Sequence, residues 1–261
     1  MPLPLADLES LLRTRKLDRT LTSTLPSHPA GDELAIAATG LPGLDARLAG
    51  GFPRGQLSEL IGPRSSGRTS LLRQALAAAT WRGELVALVD ALDAFDVESA
   101  SAARIELDRL LWVRGHVVTN PGMCRDLNQR AVDQAIKALT LVLQAGNFGL
   151  VVLDVAEAPR EAIRRLPFTT WLRLQRMVEG TQTACVLVGT EPMARSSAGL
   201  TLRLGIGESG LGMRGVRFRG RLFEGFDVTA SVARARTHVR EETMAMFATA
   251  AFNDEASHHH G

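Results

Sequence analysis

The run Ile61-Gly62-Pro63-Arg64-Ser65-Ser66-Gly67-Arg68-Thr69-Ser70 has the frame of a loop that wraps a phosphate chain, Gly-x4-Gly-Lys-[Ser/Thr], with arginine at the lysine position. In such a loop the glycines let successive backbone N–H groups face the phosphates. The lysine ammonium reaches the terminal phosphates and the next hydroxyl holds magnesium. Gly62, Gly67 and Thr69 are in place, and Pro63, Arg64, Ser65, Ser66 and Ser70 complete the loop and its exit. Arg68 offers a bulky planar fork instead of a compact point charge, and the two cations are not interchangeable at so tight a site. Asp154, closing the apolar run Leu150–Leu153, is placed as a magnesium-orienting acid would be. A glycine turn and an ordinary strand-terminal aspartate would explain each feature separately; their order along the chain favours a nucleotide-binding fold whose catalytic equipment has drifted.

The scaffold around these residues can be read from the patterning. Leu57–Ile61 reads as a short strand feeding the loop, and Thr69 to Trp81 as a helix ending at Gly83, with its N-terminus suited to anions. Glu84–Asp90, Leu150–Asp154 and Ala184–Val188 are apolar, as strands buried in a parallel sheet should be, and Leu110–Val113 reads as another short strand. Asp96 to Ala103, Arg125 to Gln144 and Phe168–Glu179 read as the helices between them. This alternation predicts an α/β fold with a mainly parallel sheet flanked by helices. Residues 1–38 read as an amphipathic helical arm (Leu5, Leu8, Leu11, Leu12) with a Ser/Thr/Pro-rich linker, and 39–205 as the core. After about Gly199 the alternation becomes that of hairpin strands, so 206–243 reads as a strand extension and 244–261 as a flexible tail ending in His258, His259 and His260.

The stretch from Gly50 to Leu71, with its Gly-Gly-x-Pro-x-Gly approach and Gly-Pro-x-Ser-Ser-Gly loop, closely resembles the RecA recombinase family, and Thr39-Gly40 with Leu44-Asp45 fits the lead-in to that family's core. The resemblance runs from about Thr39 to Leu204 and is most specific in its first third. It implies a RecA-like core in which ATP and magnesium would occupy the phosphate loop, and it makes the departures informative. The family's second strand ends Asp-Ala-Glu, and that glutamate activates the attacking water; here the residues are Asp90-Ala91-Leu92. Leucine cannot accept a proton, and losing a general base typically costs on the order of 10²–10⁴-fold in rate. Asp93 lies one residue further, with its side chain shifted away. The sensor glutamine of the family falls near Thr190. An arginine left in the emptied phosphate space would need a partner, and Asp154 or Asp90 is expected to supply it. The family holds DNA on two long loops, after the strands ending at Asp154 and Val188, and both connections are short here.

Glu106-Leu107-Asp108-Arg109-Leu110-Leu111-Trp112-Val113-Arg114 and Leu11-Leu12-Arg13-Thr14-Arg15-Lys16-Leu17-Asp18 are similar to stretches of ImuA-type proteins, RecA-like accessory factors of mutagenic translesion synthesis. That resemblance implies a non-catalytic or weakly catalytic adaptor that needs no cofactor. Its partners would be a Y-family polymerase-like protein and an error-prone replicative-type polymerase, with RecA, a second copy of the chain and weak DNA contact as further candidates. A DNA-dependent ATPase of recombinational repair and a regulator of RecA filaments are the alternatives. Whatever the function, Leu110, Leu111 and Val113 suit a core strand with Trp112 packed at its edge.

Composition sets the remaining bounds. With 261 residues, 45% hydrophobic and 22% charged, the chain can bury one sizeable core. No apolar run approaches the roughly 20 residues that span a bilayer, so no membrane partner and a cytoplasmic location, close to the nucleoid during damage, are expected. Cys124 and Cys185 stand far apart and read as small buried hydrophobes in a reducing compartment, not as a metal or disulfide framework. A net charge of +2 is too small to establish nucleic-acid binding. It is unevenly spread, however: Arg217, Arg219 and Arg221 alternate along one stretch, and Arg234, Arg236, His238 and Arg240 repeat the alternation. A solvated sheet face, a phosphate-contacting face and a surface for an acidic partner all share this pattern; tyrosine is absent and tryptophan does not interleave, which argues against base stacking.

Overall fold

A computed structural model describes residues 36–115, 125–206, 216–219, 222–235 and 244–248. The expected helical arm, Cys124, Arg221, Arg236, His238, Arg240 and residues 249–261 of the expected tail lie outside the described residues, whereas 244–248 of that tail are not a flexible end but a strand, paired antiparallel with Asp227–Ser231.

The apolar runs form a central parallel sheet. Strands β3 (Leu57–Ile61), β4 (Val86–Asp90), β5 (Leu110–Arg114), β6 (Leu150–Asp154), β7 (Ala184–Gly189) and β8 (Ala198–Ile206) stand in the order β8-β3-β7-β6-β4-β5, each parallel to its neighbours. Every residue of β3, β4 and β7 is buried, because helices cover both faces. Two short strands, β1 (Ile36–Ala37) and β2 (Phe52–Pro53), pair with each other beside the sheet. The chain after β8 turns antiparallel: β10 (Leu222–Ala235) pairs with β8, with β9 (Val216–Arg219) and with β11 (Met244–Ala248). One expectation is corrected here. The stretch after about Gly199, read as hairpin strands, does pair antiparallel with β10, but its other edge runs parallel to β3, Leu202 opposite Leu60, which makes it a strand of the main sheet. Its apolar residues Leu200, Leu202 and Leu204 alternate because they pack on one face only, a pattern that local sequence shares with hairpins.

On one face lie α1 (Pro42–Asp45), α2 (Arg68–Trp81) and α3 (Val97–Ala102), whose leucines and alanines pack with Leu60, Val86, Leu88 and Val188. The alanines Ala75, Ala77 and Ala79 keep α2 close to the sheet, and all three are buried. On the other face α4 (Arg125–Ala145), the short α5 (Arg160–Arg164) and α6 (Phe168–Val178) pack Val132, Ile136, Leu139, Trp171 and Leu174 against Ala87, Val89, Val151 and Leu187. The α3 helix begins where Asp96 accepts a hydrogen bond from Ser99 N at 3.0 Å, a side-chain cap of the usual kind. Trp112 sits half-buried at the β5 edge, its ring edge-to-face with Phe95 at 5.3 Å.

Buried polar groups tie the sheet together at one end and in its interior. At the end where the parallel strands begin, Arg54 donates to Gly149 O (2.9 Å) and Gln182 O (2.8 Å), just before β6 and β7, and to Glu84 Oε1 (2.7 Å) ahead of β4. Arg82 adds a second bond to the same carboxylate. Burial pushes the Glu84 carboxyl up, but Arg82 and Arg54 together hold it below the ordinary value. Inside the sheet, Glu59 of β3 is 1% exposed; it accepts from Met193 N (2.6 Å), Ala194 N (2.7 Å) and Thr201 Oγ1 (2.8 Å). Among the described residues no helix is long and apolar enough to cross a membrane. Cys185 is fully buried in β7, where loss of water pushes its thiol up to about 12.

Candidate functional site

The carboxyl ends of parallel strands face one edge of the sheet, and the connections leaving them converge there. From β3 the chain passes through Gly62–Gly67 into α2, as the motif requires. Gly67 has φ 86° and is the N-cap of α2; a Cβ there would come within 2.5 Å of Val228 Cγ2, so the left-handed conformation and the packing both call for glycine. Gly62 has no room for a side chain either, since its Cβ would meet Leu204 O at 2.5 Å. Strands β8 and β10 therefore form the backing of the loop. Arg64, Ser65, Ser66, Gly67, Arg68, Thr69, Ser70 and Glu157 line a cleft of about 390 Å³, within the usual range of small-ligand sites.

Arg68 stands on the first turn of α2, only 6% exposed, and its Nη1 has no hydrogen-bond partner. Burial lowers its pKa; Asp154 first and then Glu157 oppose that, while Arg64 adds to it. The expected ion pair of Arg68 with Asp154 or Asp90 is not formed: among the described residues no salt bridge joins Arg68 to either. The reasons differ. Asp90 is spent on its own turn, accepting from Ala94 N (3.0 Å), Phe95 N (2.8 Å) and Trp112 Nε1 (3.3 Å). Asp154 lies two strands from β3, across β7, and its Oδ1 takes the Ala156 N–H at 2.9 Å. Burial raises its carboxyl to about 6, with Asp90 adding to the rise and Arg68 opposing it.

Neither residue after β4 is placed as a water-activating acid. Leu92 is half-buried and packs against the apolar cluster under α4 and α6. Asp93, with φ 57°, receives Arg114 Nε at 2.8 Å and Nη2 at 2.7 Å, and those bonds hold its carboxyl below the ordinary range. Arg114 in turn lies over the Trp112 ring at 4.6 Å. Thr190 lines a separate small cavity of about 50 Å³ with Arg160, Arg164, Glu191 and Met193, where Glu191 pairs with both arginines. Residues 155–183 contain α5 and α6, and 190–197 are held by Glu59, so neither connection leaves a long free loop. Arg217 and Arg219 lie on β9, paired with Gly225 and Leu222, and Arg234 on β10 donates to Arg195 O.

The residues fit a phosphate chain: a helix N-terminus, glycine-lined backbone, a buried guanidinium whose Nη1 lacks an acceptor and the Ser66 hydroxyl, also without a partner. For a magnesium ion the chain offers the Thr69 hydroxyl and the Asp154 carboxyl; among the described residues no group of three His, Cys, Asp or Glu side chains could hold a metal by itself. Sequence reasoning overlooked Glu157. Its only signal is its place three residues beyond Asp154, and what brings it to the cleft is the strand order.

Comparison with known proteins matches the RecA N-terminal domain family over residues 25–163, more than half of the chain. The RecA of Clavibacter michiganensis subsp. michiganensis is 33% identical over 166 residues, which is 60% of this chain and 42% of that protein. The RecA of Chlorobaculum parvum is 34% identical over 134 residues, 49% of this chain and 35% of that protein. The chain thus spans less than half the length of these curated relatives. A crystal structure of the RadB recombinase superposes with a TM-score of 0.54 at 22% identity, covering 82% of this chain and 96% of that one, and so shares the fold. With its phosphate loop, its parallel sheet order and its matched first half taken together, this chain belongs to the RecA N-terminal domain family.

Proposed function

We propose that this chain is a non-catalytic or weakly catalytic RecA-like adaptor in bacterial DNA damage tolerance, joining polymerase components of mutagenic translesion synthesis through protein contacts. The observation that carries the reading is the fate of the acids around the cleft. The water-activating position is Leu92, turned into the apolar cluster, and the next carboxylate is locked on Arg114. Asp90 is consumed by backbone N–H groups. With leucine at the family's water-activating position, and with the one carboxylate that lines the cleft, Glu157, tied to Arg64, a main contribution to nucleotide hydrolysis is missing in this reading. The chain's own residues can still bind and orient an anion at Gly62–Thr69. The two short, pinned connections after β6 and β7 leave little backbone for gripping DNA, which shifts the function to protein surfaces. The partners in this reading are a Y-family polymerase-like protein and an error-prone replicative-type polymerase, in the cytoplasm, with RecA, a second copy and weak DNA contact through Arg217, Arg219 and Arg221 as secondary ones.

A second reading is a DNA-dependent ATPase, a RecA paralogue in recombinational repair or a regulator of RecA filaments. It is favoured by the intact glycine framework and by Thr69 and Asp154, which a loop kept only for architecture has no need to retain.

ATP turnover separates the two. The purified chain is expected to hydrolyse ATP at background, with or without single-stranded DNA, and to coprecipitate with the Y-family polymerase-like protein from damage-treated cells. A DNA-stimulated rate near that of a recombinase overturns the adaptor reading. The double change Arg68→Lys and Leu92→Glu is expected to raise hydrolysis above background.

A further inference from the structure

Within the phosphate cleft, every lining residue except one comes from the loop or the first turn of α2. The exception is Glu157, which enters from the segment after β6 and is the sole acid among the lining residues. It is not idle there. Arg64, from the loop itself, donates to Glu157 Oε2, so an ion pair crosses the mouth of the cleft. The loop conformation that presents Arg64 is set by two left-handed residues, Ser65 at φ 59° and Gly67 at φ 86°. Behind this pair lies Arg68, buried, with one N–H unsatisfied. A cleft built to collect anions therefore holds a carboxylate of its own.

We propose that Glu157 is a built-in counter-anion of the phosphate cleft: tied to Arg64 across the mouth, it competes with any bound phosphate and keeps polyphosphate anions out until that pair opens. The inference rests on reading Gly62–Thr69 as a phosphate loop and adds to it a means of exclusion. Glu157 also opposes the effect of burial on Arg68, so the carboxylate serves the inner arginine as well as the outer one. It does not satisfy the inner one fully, because Arg68 Nη1 remains without a hydrogen-bond acceptor. A ligand with two or more phosphates could bond both arginines at once, which a single carboxylate does not. The ligand class is accordingly a diphosphate, whether inorganic or carried by a nucleoside.

A carboxylate and a phosphate oxygen about 5 Å apart repel strongly enough, at an effective dielectric near 20, to change affinity by about tenfold or more per charge. The full-length chain and its Glu157→Gln variant, which keeps size and shape on an exposed pair, are titrated calorimetrically with inorganic pyrophosphate and with ADP. Thermal melting is followed in parallel. The variant is expected to bind both ligands at least about tenfold more tightly than the native chain. It should also melt higher in pyrophosphate than in buffer, while the native chain barely responds. Equal gains for both ligands place the recognition on the diphosphate alone; a gain larger for ADP adds the nucleoside; both outcomes uphold the counter-anion. A further change, Arg64→Ala in the Glu157→Gln background, should remove part of the gain. Native chain and Glu157→Gln variant with the same affinity, whether both bind or neither does, overturn the proposal. Failure of the adaptor reading is distinct: it is read from ATP turnover by the native chain and leaves this comparison of affinities standing.

Discussion

Replacing Glu59 tests how firmly the connection after β7 is held. Three donors converge on this carboxylate from segments 134 to 142 residues away, at 2.6, 2.7 and 2.8 Å, in a site 1% exposed. Glu59→Ala strands two backbone N–H groups and the Thr201 hydroxyl in the interior. Each stranded donor costs about 1–3 kcal/mol, and partial entry of water brings the whole to about 4 kcal/mol. For a domain of this size, 1 kcal/mol lowers the melting temperature by roughly 2–4 °C, so the variant should melt about 10 °C below the native chain. Glu59→Gln keeps an oxygen for Met193 and Ala194 and loses the charge, and the Thr201 hydroxyl can turn to accept from the amide. Its cost should be about 1–2 kcal/mol, or roughly 4 °C. Differential scanning calorimetry gives both numbers, and hydrogen exchange at Met193 and Ala194 should accelerate in the same order. The reasoning fails if Glu59→Ala melts within about 2 °C of native, or no lower than Glu59→Gln. In that event the segment 190–197 is not fixed by this carboxylate, and the case against its serving as a free DNA-gripping loop loses its support.

Arg54→Ala should be comparably damaging, because it leaves the buried Glu84 with Arg82 alone and frees two carbonyls; the loss is about 3–5 kcal/mol, measurable by urea denaturation. Since Glu84 titrates below its unfolded value, its share of stability is present at neutral pH and disappears as pH falls through the folded-state pKa, so the native–variant gap should narrow in acid. Asp154 has the opposite sign. Its carboxyl is raised to about 6, so the folded state holds a proton that the unfolded chain has released, and stability falls as pH rises from about 4 to 6. Asp154→Asn keeps an acceptor for the Ala156 N–H and should flatten that decline, stabilising the chain at pH 7 by at most about 3 kcal/mol; a denaturation series across this pH range showing the same slope for both proteins refutes the assignment.

Much of the architecture is legible along the chain because its signals are local. An apolar run of four residues behind a glycine, such as Leu150–Leu153 with its closing aspartate, needs burial on both faces wherever it lies. A glycine-rich loop between a strand and a helix has its conformation set by the steric freedom of Gly62 and Gly67. The replacement of lysine by Arg68 and of the acid by Leu92 is likewise visible at single positions. The partners of these residues are not. Arg68 and Asp154 are expected to pair on charge alone, and the structure leaves β7 between their strands. The stretch after about Gly199 reads as hairpin strands because alternation reports one buried face and is silent about which strands lie alongside; its antiparallel partner β10 agrees with that reading, and its place parallel to β3 follows from the packing of Leu200, Leu202 and Leu204. Glu59 and Thr201, 142 residues apart, and Arg54 with Gln182, 128 apart, meet only because the sheet order brings their strands together. Glu157 reaches the phosphate cleft for the same reason. The chain's local patterning thus specifies which segments must be strand, helix or phosphate loop, since propensity, steric freedom and burial act within a few residues. Which charges meet is settled only in the packed molecule, since the order of strands in a sheet depends on the packing of whole faces and no local pattern encodes it.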